Sequence, residues 1–239
     1  CTTHYSHMKP RTVPSQPYVH LLPALLRCME VPGELAAMLA GEHGPTRQKA
    51  ARLVADLALA AGANQFTKAS NAHVSGVSVI TGGIGLRRFL SDLASDGDAK
   101  VAIPTTLNSA GCDSSKIDQM EIDYPEFMTL QAEIVTSYWE MGIQTTLSCT
   151  PYDHDSESSS GIGSWAESNA VCFANTYTDL ATNRESGLSA LSTALTGWAP
   201  LWGLHIPSNR KPNILVKVEC DLTDSTDFSV LGDWIGRQI

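Results

Sequence analysis

The sequence lacks the features of several large functional classes. Its 239 residues carry 16 lysines and arginines against 25 aspartates and glutamates, a net charge of −9, so the clustered positive charge that binds nucleic acid or an anionic membrane is missing. No run of 18 apolar residues occurs, which predicts no membrane-spanning helix. The six cysteines form no C-x-x-C pair and are too sparse for a disulfide framework, which favours a reducing, cytoplasmic location. We therefore expect neither a nucleic-acid nor a membrane partner.

Common catalytic motifs are missing as well. The chain contains no G-x-x-x-x-G-K-[ST], no G-x-S-x-G and no H-E-x-x-H, which removes the simplest indications of a P-loop, a serine hydrolase or a zinc protease. The glycines at 82, 83 and 85 precede a predicted helix, but they lack the spacing of a dinucleotide-binding loop.

What the sequence does contain predicts an α/β fold, with a largely parallel sheet and helices packed on it. Residues 1–32 hold five of the twelve prolines and are predicted to be a linker or the remnant of a preceding region, with the main domain over 33–239. Apolar spacing predicts helices over Glu34–Ala40, from a cap at Thr46 to Gly62, and over Ile84–Ala94, Pro125–Met141, Ser164–Asn175, Gly187–Leu195 and Thr226–Arg237. Short apolar runs predict strands over His73–Val79, Lys100–Ile103, Ile143–Ser148, Leu201–Ile206 and Ile214–Glu219.

Two local patterns add detail to this prediction. Ser164 and Glu167 have the spacing of a capping box, with Ser164 as the N-cap of the helix that follows. The acidic, serine-rich segment Asp153–Ser160 is predicted to be a solvated loop.

Polar residues cluster where predicted strands meet helices, which is where ligands bind in folds of this class. His73 is interpreted either as a group facing a bound carboxylate or as a buried core histidine, and residue type alone favours the second. The segment Ile103–Asp113 is either a functional loop or an ordinary turn. Cys149 has the character of a metal ligand or a nucleophile, although a free cysteine is more often a small buried apolar residue. Arg184, which follows Asn183, is either a clamp for a carboxylate or phosphate or a helix-terminal arginine.

Taken together, five segments resemble the aconitase X family, also described as the phosphomevalonate dehydratase large-subunit-like family. In chain order they are AHVSGVS (72–78) with GLRRFL (85–90), PTTLNSAG (104–111), CTPY (149–152), WAESNAV (165–171) with AN (174–175) and TNRE (182–185), and GLH (203–205). The resemblance extends over residues 30–239, including DFSVLGDWIG (227–236).

The resemblance implies a hydro-lyase, which removes water from a small hydroxy acid such as cis-3-hydroxy-L-proline or mevalonate 5-phosphate. It also implies an iron or iron–sulfur centre, because hydroxide is a poor leaving group that a Lewis acid stabilises. Residue by residue, it implies metal ligands at Cys149 and then Cys112, and catalytic groups at Glu167, Ser168, Asn183 and Arg184. The substrate-binding groups that it implies are His73, Ser75, Thr105, Thr106, Asn108 and Asn175.

The chain also departs from the family pattern. The family has G-A-R before T-N-R, whereas this chain has Asp179-Leu-Ala181, and the family's two further cluster cysteines and its small swivelling domain or subunit have no counterpart. The resemblance therefore predicts a partial catalytic domain with little or no activity alone. The alternatives are a non-catalytic remnant that binds a small acid or a partner, and a cysteine hydrolase that uses Cys149.

Overall fold

The computed structural model describes residues 29–97, 99–153 and 160–238. Contacts between residues divide them into two compact units, one ending at Asn209 and the other beginning at Arg210. Most of the proline-rich segment 1–32, through residue 28, and the centre of the predicted loop Asp153–Ser160 lie outside the described residues.

The first unit is an α/β structure, which confirms the predicted fold class. Its helices are α1 (Gly33–Ala40), α2 (Pro45–Ala61), α3 (Val79–Ala94), α4 (Ile117–Asp123), α5 (Pro125–Glu140), α6 (Ser168–Tyr177) and α7 (Gly187–Thr196). Its strands are β1 (Phe66–Lys68), β2 (Asn71–Val74), β3 (Thr105–Leu107), β4 (Ser160–Trp165), β5 (Asp179–Arg184) and β6 (Trp198–Pro200). Within the described residues, β3, β2, β4 and β5 form a parallel sheet in that order, and β1 pairs with β6 antiparallel.

The parallel sheet buries apolar residues on both faces. On one face, Val74 and Leu107 join the largest apolar cluster with residues from α3, α5 and α7. On the other face, Trp165 and Leu180 pack against α6. A parallel sheet needs such cover on both sides, since its strands are joined by helical crossovers.

The helix predictions are largely confirmed, because their apolar stripes follow the helical period. Ile134 and Tyr138 of α5, for example, are both buried in the main core. The predicted cap at Thr46 is wrong: α2 begins at Pro45 after Gly44, and the Thr46 side chain donates instead to the Leu93 carbonyl at 2.9 Å. Proline suits a helix start because its missing N–H is unpaired there anyway.

The strand predictions fail at several positions. The strand predicted over His73–Val79 is observed as β2, Asn71–Val74, and Gly76 beyond it takes a φ of +76° that departs from an extended chain. The β3 strand lies after the predicted Lys100–Ile103. Ile143–Ser148 contributes one isolated bridge, from Gln144 to Thr106, and Leu201–Ile206 contains a 3₁₀ turn at Gly203–His205.

The strands β4 and β5 were not predicted, and β4 corrects the predicted capping box. Ser164 lies inside β4 and is fully buried, while α6 starts at Ser168 with Glu167 as its N-cap. Ser160–Trp165 is a short run of glycines and serines with little apolar content, so its composition does not predict a strand. It is a strand because it pairs with its two neighbours.

The second unit contains the helix α8 (Ser225–Gly236). Asp224 caps it, with its carboxylate accepting from the backbone N–H groups of Thr226 and Asp227. The predicted strand Ile214–Glu219 is not observed in this unit, where the backbone is irregular. No helix in the described ranges is both long and apolar enough to span a bilayer.

Candidate functional site

The carboxyl end of the parallel sheet aligns several of the predicted residues in one row. The strand register places Thr106 beside His73, His73 beside Trp165, and Trp165 beside Arg184. Side chains in register on neighbouring parallel strands lie on the same face of a sheet, and the next residue but one returns to that face. This row therefore lies on the face of the sheet that α6 covers, and Arg184 is its exposed member.

His73 is the most buried member of this row. Its Nδ1 lies 2.9 Å from the Thr106 hydroxyl, and its ring meets that of Trp165 edge-on with the ring centres 6.3 Å apart. Among the described residues its Nε2 has no hydrogen-bond partner, although the side chain is fully buried. Burial lowers the pKa of His73 from 6.5 to about 4, against the opposing effect of the Glu167 carboxylate, so the imidazole is neutral at pH 7.

Glu167 is fixed at the same edge by two hydrogen bonds. Its Oε2 accepts from the Asn108 side-chain amide at 2.7 Å, and its Oε1 accepts from the backbone N–H of Ser168 at 3.0 Å. As the N-cap of α6, the carboxylate also benefits from the positive end of the helix dipole. Ser168 itself is exposed at the first turn of that helix.

Arg184 ends β5 on the same face, and its side chain is exposed. Within the described part of the chain it makes no hydrogen bond or ion pair, in contrast to Arg87, which pairs with Glu133. Ser75 follows β2 by one residue and is half-buried. An unpaired guanidinium beside a row of polar groups can bind an anion such as a carboxylate or phosphate.

Cys149 lies on the loop beside this edge. Its Sγ is 3.3 Å from the Ser109 hydroxyl, and its carbonyl accepts from the Asn169 side chain at 3.0 Å. Cys149 is exposed and Cys112 is half-buried, and both are free thiols. Across residues 29–97, 99–153 and 160–238, however, no three His, Cys, Asp or Glu side chains come close enough to hold a metal ion. The described residues alone therefore do not fit a complete iron centre.

Three of the predicted residues have their polar groups occupied elsewhere. Asn183 lies one residue before Arg184, hence on the opposite face of β5, where its amide bonds the Trp202 carbonyl at 3.2 Å and the Leu204 N–H at 2.7 Å. The Asn175 side chain bonds the Thr182 N–H and carbonyl, which ties α6 to β5. Thr105 donates to the carbonyl two residues before it. The structure does not bring these three side chains into the row.

The structure also brings in residues that the sequence did not single out. Trp165 occupies the row between His73 and Arg184, and it donates to the Asn71 side chain at 2.7 Å. Ser109 and Asn169 contact Cys149, as described above. Ser109 and Asn169 lie within the segments PTTLNSAG and WAESNAV, so the sequence could have indicated them through those segments. Their contact with Cys149, however, depends on the fold.

Comparison with known proteins identifies the class to which this fold and site belong. Residues 29–208 match the first domain of aconitase X, and the chain belongs to this family. The match includes the whole of the row and Cys149 and ends before α8.

Several relatives share this similarity. The chain is 38% identical to the phosphomevalonate dehydratase large subunit of Thermococcus kodakarensis over 203 residues, which are 84% of this chain and 50% of that protein. It is 35% identical to the cis-3-hydroxy-L-proline dehydratase of Pseudomonas aeruginosa over 82% of this chain and 33% of that protein. The crystal structure of Thermococcus kodakaraensis aconitase X in its holo-form superposes with a TM-score of 0.77 at 38% identity, covering 88% of this chain and 52% of that one. The chain thus spans about half the length of these phosphomevalonate dehydratase relatives, and the predicted resemblance is confirmed.

Proposed function

We propose that this chain forms one wall of an aconitase X-type dehydratase site that acts on a small hydroxy acid such as cis-3-hydroxy-L-proline or mevalonate 5-phosphate. The observation that carries the proposal is the set of groups at the carboxyl end of the parallel sheet. Arg184 has no hydrogen bond or ion pair among the described residues, Glu167 holds a fixed carboxylate, and His73 is a buried neutral imidazole. Relatives with the names of both dehydratases support the class of reaction.

Arg184 is proposed to bind the carboxylate or phosphate of the substrate. It is exposed at the end of β5 and lies in register with Trp165. A guanidinium offers two parallel N–H donors to such an anion, and hydrogen bonds to charged groups are the stronger ones.

Glu167 is proposed to take the proton next to the substrate carboxylate. Each of its oxygens accepts one hydrogen bond, which fixes the carboxylate and leaves lone pairs for a proton. A positioned carboxylate of this kind contributes about 10²–10⁴-fold to a proton transfer. His73 and Thr106 are proposed to form the buried floor beneath the site. The same end of the sheet also holds Ser75, Asn108 and Ser168. We propose a structural role for Thr105, Asn175 and Asn183, whose hydrogen bonds hold the neighbouring backbone in place.

Cys149 is proposed to ligate an iron or iron–sulfur centre, with Cys112 as the second choice. Such a centre would supply the Lewis acidity that the departing hydroxide needs. Because the described residues gather no three donors, the other ligands would have to come from outside the described part of this chain. We also propose that residues 33–239 act together with a small swivelling domain or subunit, as the name "large subunit" of one relative suggests.

Turnover of both substrates tests this proposal. Iron content and water elimination are measured for the 239-residue chain and for the chain expressed with its flanking coding sequence. We expect activity in the longer form, a KM about 10–100-fold higher in Arg184→Gln, and a kcat lowered about 100-fold or more in Glu167→Gln. Arg88→Gln, an exposed arginine on α3, is the matched control and should leave both constants unchanged.

The second candidate is a non-catalytic module that binds a small acid or a partner, and the lack of any group of three metal donors among the described residues favours it. In that case the longer form binds the acid through Arg184 but eliminates no water. Equal turnover by Glu167→Gln and the unchanged protein would contradict the proposed catalytic role.

A further inference from the structure

A glutamine inside the apolar core connects the two loops that carry the candidate site. Gln131 lies on α5, whose stripe of Ile134 and Tyr138 packs in the main core, and only 2% of its own surface is exposed. A buried polar side chain is costly unless its hydrogen bonds are made. Each polar atom of this one has a partner.

Those partners belong to the loop after β2, to the first residue of α3 and to the loop after β3. The Gln131 Oε1 accepts from the backbone N–H of Val79 and of Gly111, both at 3.1 Å. Its Nε2 donates to the Val77 carbonyl at 2.9 Å. The amide therefore joins residues 77–79 to residue 111, two stretches that are more than 30 positions apart in the chain.

The two loops also touch directly at this point. A Cβ on Gly111 would come within 2.1 Å of the Ser78 hydroxyl oxygen and 3.1 Å of the Gln131 Oε1. A side chain at position 111 would collide with Ser78 unless Ser78 moved, so the two segments approach each other closely here. Two residues before Gly111, the Ser109 hydroxyl contacts the Cys149 thiol, and one residue before that, Asn108 bonds Glu167.

We propose that Gln131 is a positioning residue for the candidate site, and that it sets the placement of Asn108 and Ser109 against Glu167 and Cys149. The proposal rests on the proposed function for its catalytic meaning, but its structural content concerns this chain alone. Without the amide, the Gly111 loop loses its anchor on α5, and the contact of Ser109 with the Cys149 thiol loosens.

Two substitutions separate the contributions of the amide. Gln131→Met keeps the length and the apolar stem but removes all three hydrogen bonds. Gln131→Glu keeps an acceptor for both backbone N–H groups, loses the donor to Val77 and, when ionised, places a charge in the apolar core. Protonation of that glutamate at low pH restores the donor, because a carboxylic acid offers one O–H together with a free oxygen.

Backbone amide hydrogen exchange and alkylation of Cys149 are the measurements, made on the 239-residue chain. In Gln131→Met we expect residues 77–79 and 109–111 to exchange about tenfold faster, which corresponds to about 1.4 kcal/mol, while the amides of α2 stay unchanged. The rate of Cys149 alkylation by iodoacetamide should change about threefold or more relative to the unchanged protein. Gln131→Glu should show an effect that declines as the pH is lowered, because protonation restores the donor to Val77 and removes the buried charge. Gln119→Glu, the same change at an exposed position, should show none.

The outcomes are distinguishable from failure of the proposed function. If the chain proves not to be a dehydratase, the exchange and alkylation results still decide the role of Gln131. If Gln131→Met fails to fold, Gln131→Glu and its pH dependence decide it. Unchanged exchange in both loops, or loss of protection spread evenly over the whole unit, would overturn the proposal.

Discussion

The buried imidazole of His73 makes the stability of the fold depend on pH in a calculable way. Burial lowers its pKa from 6.5 to about 4, so between these values the unfolded chain binds a proton that the folded chain does not. The free energy of unfolding therefore falls as the pH is lowered from about 6.5 to about 4 and is fully retained above that window. At about 1.4 kcal/mol per pH unit, the loss attributable to this residue is about 3 kcal/mol.

The perturbation is His73→Asn, which removes the titrating ring and keeps a polar group near the position of Nδ1. The variant is less stable at every pH, since it loses packing against Trp165 and Thr106. Its stability should nevertheless fall less steeply with acid, by about 2 kcal/mol between pH 6.5 and 5. His43→Asn, the same change at an exposed histidine, is the matched control with which the slope of His73→Asn is compared.

Urea unfolding followed by tryptophan fluorescence at half-unit steps from pH 4 to 7 gives the two curves. Because the other titrating groups remain present in both proteins, the difference between the slopes isolates His73. Parallel curves for the unchanged protein and His73→Asn would refute the argument, because they would mean that the ring is protonated equally in the folded and unfolded chain.

Two further predictions concern the packing of the site. Gly187→Ala should destabilise the chain by about 1–3 kcal/mol in thermal or urea unfolding, because the new Cβ would lie 2.2 Å from the Ser75 carbonyl oxygen. The control is Gly85→Ala, which has open space around it and should be neutral or stabilise by up to about 1 kcal/mol. Equal losses of stability in both variants would contradict this interpretation of the packing. Asn108→Asp replaces the donor 2.7 Å from Glu167 with a second carboxylate. We therefore expect the free energy of unfolding to fall by about 1–3 kcal/mol at pH 7, and by less towards pH 4 as one carboxylate is protonated. A loss of stability that does not depend on pH would contradict direct contact of the two groups.

Much of this molecule could be predicted from residue patterns. The helical periods of α2 and α5 are strong because each of these helices buries one stripe of residues, and that signal is local. The polar segments also predicted the family, and residues 29–208 match its first domain. The polar segments also lie at the carboxyl end of the sheet, where His73 and Arg184 are on either side of Trp165.

Other features could not be read locally. The strand β4 consists of small and polar residues, and it is a strand because β2 and β5 supply hydrogen bonds on both sides. Asn183 and Arg184 are neighbours in the chain, yet the alternation of a strand places them on opposite faces, so one faces Trp202 and the other the site. That division follows from the register and not from residue type.

The sequence by itself determined the class of the fold and the residue types available for chemistry, since helical periodicity, charge balance and short motifs are local properties. Tertiary structure decided which of those residues share a surface. Pairing of parallel strands brought His73, Thr106 and Arg184 into one row, and the core around α5 placed Gln131 against two loops that are distant in the chain. Such juxtapositions depend on strand register and burial, which arise only when separated segments pack together.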